Sequence, residues 1–411
     1  MATATADSYT AASGAAVYAG RGPVVPAWRL SMSPLTSAQI GSNSLADVDP
    51  AQDVAINPMY ASRPDAPWIT PTGSNINDLI SAYSGGSYND ATGVFWVAGG
   101  GHGGWNGNCA FSVDLMQSSP TWARRGYPTG SIQHPLPGGQ DRVNYNGSQD
   151  TVYEDRPHSV HSYNLLAATP DGDLWLLPGG FNWNVAWFRR AFRFIGASND
   201  WDTTNIPSGE GILGPTSGPI LGQVGASCYD PVRNCIWQIT VNDCIVKWPA
   251  PASYGVPTYT YYSSGGFASQ WGMVYDTTRN WVYIFANDTT SDGQSGRCVA
   301  CFDASAGTTT PTWLNIPSAS TSWCDAGIAY DSIRDRILIW EGGLTLTTLT
   351  PPASPLSSAW ATGSITLTGA DPGVEQAAGT YGRFAFSARL NAALIVNDAD
   401  TRMHAFALEA A

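Results

Sequence analysis

The 411-residue chain carries a formal charge of −13, a single lysine (Lys247), five glutamates and 11% aromatic residues. Two strong helix formers are scarce while Trp, Tyr, Thr and Gly abound, which points to an all-β protein with many turns; the acidic balance without a basic cluster argues against nucleic acid as a partner. No run approaches the ~18–20 apolar residues a membrane helix needs, so membrane insertion is not expected.

Residues 1–23, MATATADSYTAASGAAVYAGRGP, lack the basic and leucine-rich regions of a secretory signal and hold too few large apolar groups for a core. They read as a flexible arm, or one that orders on a neighbouring subunit, and the chain is expected to fold in a cytosol. Val24-Val-Pro-Ala-Trp28-Arg-Leu-Ser31 reads as a strand. From residue 24 to 411 the sequence predicts one domain.

A pattern then recurs: an aromatic, an Asp or short polar residue, turn residues, an Asn, Asp or Gly, and a strongly apolar strand. Its clear copies are Tyr229-Asp-Pro-Val-Arg-Asn234, Tyr275-Asp-Thr-Thr-Arg-Asn280 and Tyr330-Asp-Ser-Ile-Arg-Asp335. Weaker ones begin at Tyr88, Ala168 and Phe386. Each predicts a β-hairpin, with the Asp accepting backbone N–H bonds and the last residue taking the left-handed conformation that closes the turn. A further strand marked by an aromatic follows five of the six, at Trp122, Trp201, Tyr259, Trp313 and Trp360. The sixth unit ends near the C-terminus without one, and the segment around Trp28 supplies it. The expectation is a ring of six four-stranded blades, with seven still possible, closed by the N-terminal strand pairing with the C-terminal blade. The repeat spacing suits a period of about 50 residues.

Between these units lie the candidate functional residues. Gly99-Gly-Gly-His102-Gly-Gly-Trp105-Asn-Gly-Asn108 follows an apolar strand and precedes another, so it lacks the helix a dinucleotide loop requires; its glycines read as structural, and His102, Trp105 and Asn108 as candidate binding residues. Residues 123–160, which include Tyr145, form a long polar insertion of the kind that is functional or disordered. His161 should open the next blade. Asn182, Trp183, Trp187 and Arg189 leave the second double glycine as a constellation able to stack on sugar rings or anchor a protein, unless the tryptophans pack between blades. The seven cysteines give no disulfide framework and read as buried thiols; Cys298 and Cys301, in an apparent strand, should face opposite ways.

These motifs resemble a kelch-type β-propeller, of the kind forming the central domain of galactose oxidase, and in particular a group found in bacterial genomes and among phage structural genes. The likeness rests on the Tyr-(Asp/Asn) hairpins, the GGGH motif and Arg156-Pro-His-Ser-Val-His161-Ser-Tyr163, and spans about residues 24–408. The third, fourth and sixth units depart from it in lacking the double glycine. The resemblance implies a non-enzymatic virion component of a bacteriophage, structural or tail-associated, assembled in the host cytoplasm and contacting other virion proteins through residues 1–23 and a host surface glycan. A receptor- or polysaccharide-binding adhesin is the alternative, and a carbohydrate-active enzyme or copper oxidase a further one. His102 and His161 could ligate copper or zinc, but a closed site needs about four ligands. No catalytic residue, metal or cofactor is therefore expected.

Overall fold

The computed structural model describes residues 25–48, 76–81, 83–99, 109–126, 157, 160–179, 191–202, 225–240, 244–249, 258–261, 267–288, 298–306, 311–316, 319–357 and 359–410. They build a six-bladed β-propeller of antiparallel blades. In chain order the inner strands are Gly85–Asn89, Leu166–Ala168, Gly225–Asp230, Phe267–Asp276, Gly327–Asp331 and Phe384–Ser387. Each packs against the next, and the last packs against the first, so the ring is closed.

The apolar runs are continuous because the second strand of each blade is sandwiched between two neighbours. In Val94–Ala98 every residue is buried. Phe95 and Val97 enter a core shared with Leu394 and Ala392 of blade 6, while Val94, Trp96 and Ala98 enter one shared with Leu174 and Phe194 of blade 2.

The hairpin turns are as the repeat predicts. Gly93, Gly172, Asn234, Asn280, Asp335 and Asn391 all have positive φ at the closing position. Asp276 Oδ1 accepts from Thr278 and Arg279 N at 2.8 and 2.9 Å, and the same geometry recurs at Asp230 and Asp331. The arginine of the motif does more than complete the turn. Arg279 binds Asp276, then crosses to blade 5, where it meets Asp335 with both terminal nitrogens and donates to Pro351 O and Pro352 O at 3.0 and 2.8 Å. Arg233 reaches Tyr275 Oη at 3.1 Å, and Arg334 reaches Asn391 Oδ1 at 2.6 Å. The repeat is thus a chain of clamps from blade 3 to blade 6. Arg279→Ala should cost about 2–4 kcal/mol in denaturant unfolding, because it strands Asp276 behind the turn, while Arg279→Lys, unable to bind both Asp335 oxygens, should recover only part.

Closure departs from the sequence reading in one respect. Residues 24–31 are not the closing strand: Ala27–Leu30 is a short helix. Pro26 stands at its N-cap in extended conformation, and the helix lets Trp28 Nε1 donate to Leu115 O at 3.1 Å while Arg29 donates to Leu390 O and Asn391 O. The closing strand is Thr36–Gln39, paired antiparallel with His404–Ala407. Its other edge is paired in parallel with Thr368–Gly369, giving this blade a fifth strand.

Cys109, Cys228, Cys235, Cys298, Cys301 and Cys324 stand outside any disulfide, and all but Cys228 are buried. Cys298 and Cys301 do not face opposite ways; both enter one core cluster, because Cys298 lies just before the strand Val299–Asp303. Burial pushes both thiols up to about 12.

Candidate functional site

The disc has two faces at its axis: one where the chain enters the inner strands, the other where the hairpin turns lie. On the entry face three tyrosines take the left-handed conformation that a bulky side chain rarely adopts: Tyr83 (φ 59°), Tyr163 (φ 44°) and Tyr381 (φ 50°). They stand just before the inner strands of blades 1, 2 and 6. Tyr163 meets Tyr381 edge-on with centroids 5.6 Å apart, and Tyr83 lies 4.9 Å from the His161 ring. His161 Nδ1 is 3.3 Å from Tyr163 Oη. His161 and Tyr381 are buried, at 1% and 2% exposure. Strain of this kind persists only where the surroundings hold it. Beneath the cluster Arg383, wholly buried, donates to Ser84 O and Val396 O at 2.9 Å each and also to Gly379 O. Desolvation pulls this guanidinium down to about 10.

Beside it stand two carboxyls. Burial raises Asp325 to about 6 and Glu375 to about 7, and Asp325 adds to the rise at Glu375. Glu375 Oε1 accepts from Thr380 Oγ1 at 2.6 Å. Because folding favours the protonated form of both, their ionisation destabilises the fold above pH about 7, and that cost is relieved as pH falls toward the unfolded values near 4. Glu375→Gln should therefore raise the thermal midpoint at pH 8 but leave it nearly unchanged at pH 5, as read by calorimetry at the two pH values.

On the turn face the axis opens into a cavity of about 340 Å³. All six blades contribute, through Tyr88, Pro170, Tyr229, Tyr275, Tyr330 and Phe386. The tyrosine hydroxyls are committed: Tyr229 to Asn234 Oδ1, Tyr275 to Asn280 Oδ1, both at 2.7 Å, and Tyr330 to Asp335 Oδ1 at 2.6 Å. Desolvation pushes the Tyr229 and Tyr275 phenols up to about 12, which keeps them donors. Asp90, the charged residue of the lining, accepts from Tyr88 Oη at 3.0 Å and Ser387 Oγ at 2.6 Å. Gly86, Asn164 and Gly382 form the inner end. There blades 6 and 1 approach so closely that a Cβ on Gly382 would lie 2.1 Å from Gly86 O. Tyr163 and Tyr381, the residues just before Asn164 and Gly382 in the chain, meet edge-on beyond this end.

No family model matches the chain, and no curated protein matches it. Solved structures do. A chain of a mitotic checkpoint complex crystal structure is 9% identical, with 80% of this chain and 90% of that one covered at a TM-score of 0.42. YCF48 from Cyanidioschyzon merolae is 12% identical, with 76% and 79% covered and a TM-score of 0.38. The WD40 repeats of RRP9 are 10% identical, with 79% and 93% covered and a TM-score of 0.38.

Of the residues singled out from sequence, His161 lies in the entry-face cluster. His102, Trp105, Asn108, Tyr145, Asn182, Trp183, Trp187 and Arg189 lie outside the described residues, as do residues 1–23 and most of the 123–160 insertion. The first glycine of the GGGH motif is structural: at Gly99 (φ 133°) a Cβ would sit 2.5 Å from Ser162 Oγ. Sequence reasoning missed Tyr83, Tyr381, Asp325, Glu375 and Arg383, which belong to no repeat. It also missed that the repeat's own aromatics line a cavity. The signal was present in their recurrence one residue before the turn, at one level of the ring.

Proposed function

We propose that the chain is a non-enzymatic interaction platform: a kelch-like propeller serving as a structural or tail-associated component of a bacteriophage virion, which contacts other virion proteins and a host surface glycan. The kelch-like and phage assignments rest on the sequence resemblance. The observation that carries the platform reading is the closure of the ring by a strand held on both edges, with the blades tied to one another by the arginine clamps. A preorganised scaffold loses little entropy on binding, and its aromatic-lined axial cavity is a recess of the size ligands occupy.

The test is the chain's position in a purified native particle, together with capture of surface polysaccharide by the full-length protein. Stoichiometric incorporation that is lost when residues 1–23 are deleted supports the virion role; a chain found only free in the lysate overturns it. Retention on polysaccharide that falls at least tenfold in Trp183→Ala/Trp187→Ala supports glycan contact through that segment, and turnover of the polysaccharide to shorter products would replace the platform by a hydrolase.

A further inference from the structure

We infer that the axial cavity on the turn face binds a neutral cyclic polyol, one or two pyranose rings in size. This deepens the platform reading by naming a site and a ligand class. Three features carry it. The volume, about 340 Å³, is that of a small-ligand pocket rather than a water channel.

The second feature is the charge of the lining, which among the described residues is the single carboxylate of Asp90. Asp90 is held by Tyr88, Ser387 and the Arg389 backbone, and the turn carboxylates Asp230, Asp276 and Asp331 lie buried against Arg233, Arg279 and Arg334. An ionic ligand would give up its hydration and meet no uncommitted partner there.

The third is the edge chemistry of the inner strands. In an antiparallel pair every second residue turns its N–H and C=O away from its partner, here toward the axis. Between blades 1, 2 and 3 such groups are used across the gap: Ala168 N donates to Ser87 Oγ and Ser227 N to Asn164 O, each at 2.8 Å. Tyr275, Tyr330 and Phe386 stand in the same phase of their strands, each one residue before its turn, on the part of the ring formed by blades 4, 5 and 6. The cavity wall therefore alternates backbone donors and acceptors with the apolar edges of aromatic rings. A ligand with hydroxyls around its perimeter and C–H faces between them matches both; a purely apolar one would leave the backbone groups unpaired.

The test uses the full-length chain and saturation-transfer NMR with glucose, galactose, mannose, N-acetylglucosamine, cellobiose and lactose. At least one should bind with a dissociation constant of about 1 mM or tighter, and glucuronate should bind at least tenfold more weakly than glucose. Thr277 and Ser332, exposed on the cavity rim, supply the blocking variant: Thr277→Leu/Ser332→Leu should weaken binding at least tenfold with an unchanged thermal midpoint. If that variant fails to fold, the smaller change Thr277→Val/Ser332→Val at the same rim gives the readout and should weaken binding at least threefold. No binding by any of these sugars, tighter binding by glucuronate, or binding indifferent to the rim substitutions would each overturn the inference. Polysaccharide capture that persists in the rim variant would leave the platform standing and remove only this site.

Discussion

Ala38→Pro should abolish cooperative unfolding, or lower the thermal midpoint by about 5 °C, a loss on the order of 5 kcal/mol and comparable to the whole stability of many domains. Ala38 lies opposite Ala405, and Ile40 N, two residues further on, donates to Met403 O at 2.8 Å. The alternation of an antiparallel ladder therefore turns the Ala38 N–H toward the same strand. Proline removes that donor and places its ring in the middle of a paired strand. The odd residues face the other way, where Thr368 N donates to Leu35 O and Ala370 N to Ser37 O. One substitution thus loosens a strand that two others depend on, and it exposes the edge of the C-terminal blade. Urea unfolding followed by both tryptophan fluorescence and circular dichroism checks it. Coincident, wild-type-like transitions would mean that the ring does not need this strand.

Replacing Arg383 should be nearly as costly. Arg383→Met keeps much of the side-chain volume but leaves the carbonyls of Ser84, Gly379 and Val396 without their donor in a site that water does not reach. The expected loss is about 3–5 kcal/mol. Arg383→Lys should restore only part, since a single ammonium cannot reproduce a planar fork aimed at three carbonyls. Because Ser84 belongs to the entry into blade 1 and Val396 to blade 6, the loss falls on the seam where the ring closes. A destabilisation below ~1 kcal/mol in Arg383→Met would mean that those carbonyls find other partners.

The two predictions differ in how far the sequence anticipates them. Ring closure by the N-terminal segment was legible, because the sixth repeat lacks its last strand and five others have theirs. The expected segment lies about ten residues too early, since Val24–Ser31 imitates the aromatic-marked strands while Ala27–Leu30 within it is helical. The strand that does close the ring, Thr36–Gln39, is short and polar, and its register is set by partners nearly 370 residues away. Nothing local marks it. Arg383 was invisible for the same reason: its partners come from three separate stretches of chain, and an arginine beside glycines reads as surface.

The repeat itself shows the division most clearly. The Tyr-Asp-x-x-Arg-Asn/Asp pattern and its three weaker copies marked six hairpins unaided, because turn geometry is local: a short polar residue that caps the turn and an Asn, Asp or Gly able to take positive φ suffice wherever they occur. Only the tertiary structure decided that the arginine of one turn binds the next blade, that the tyrosines line an axial cavity, and that three strained tyrosines and His161 cluster at the other end of the axis. Those contacts join residues far apart in the chain, and the circular packing of the blades is what brings them together.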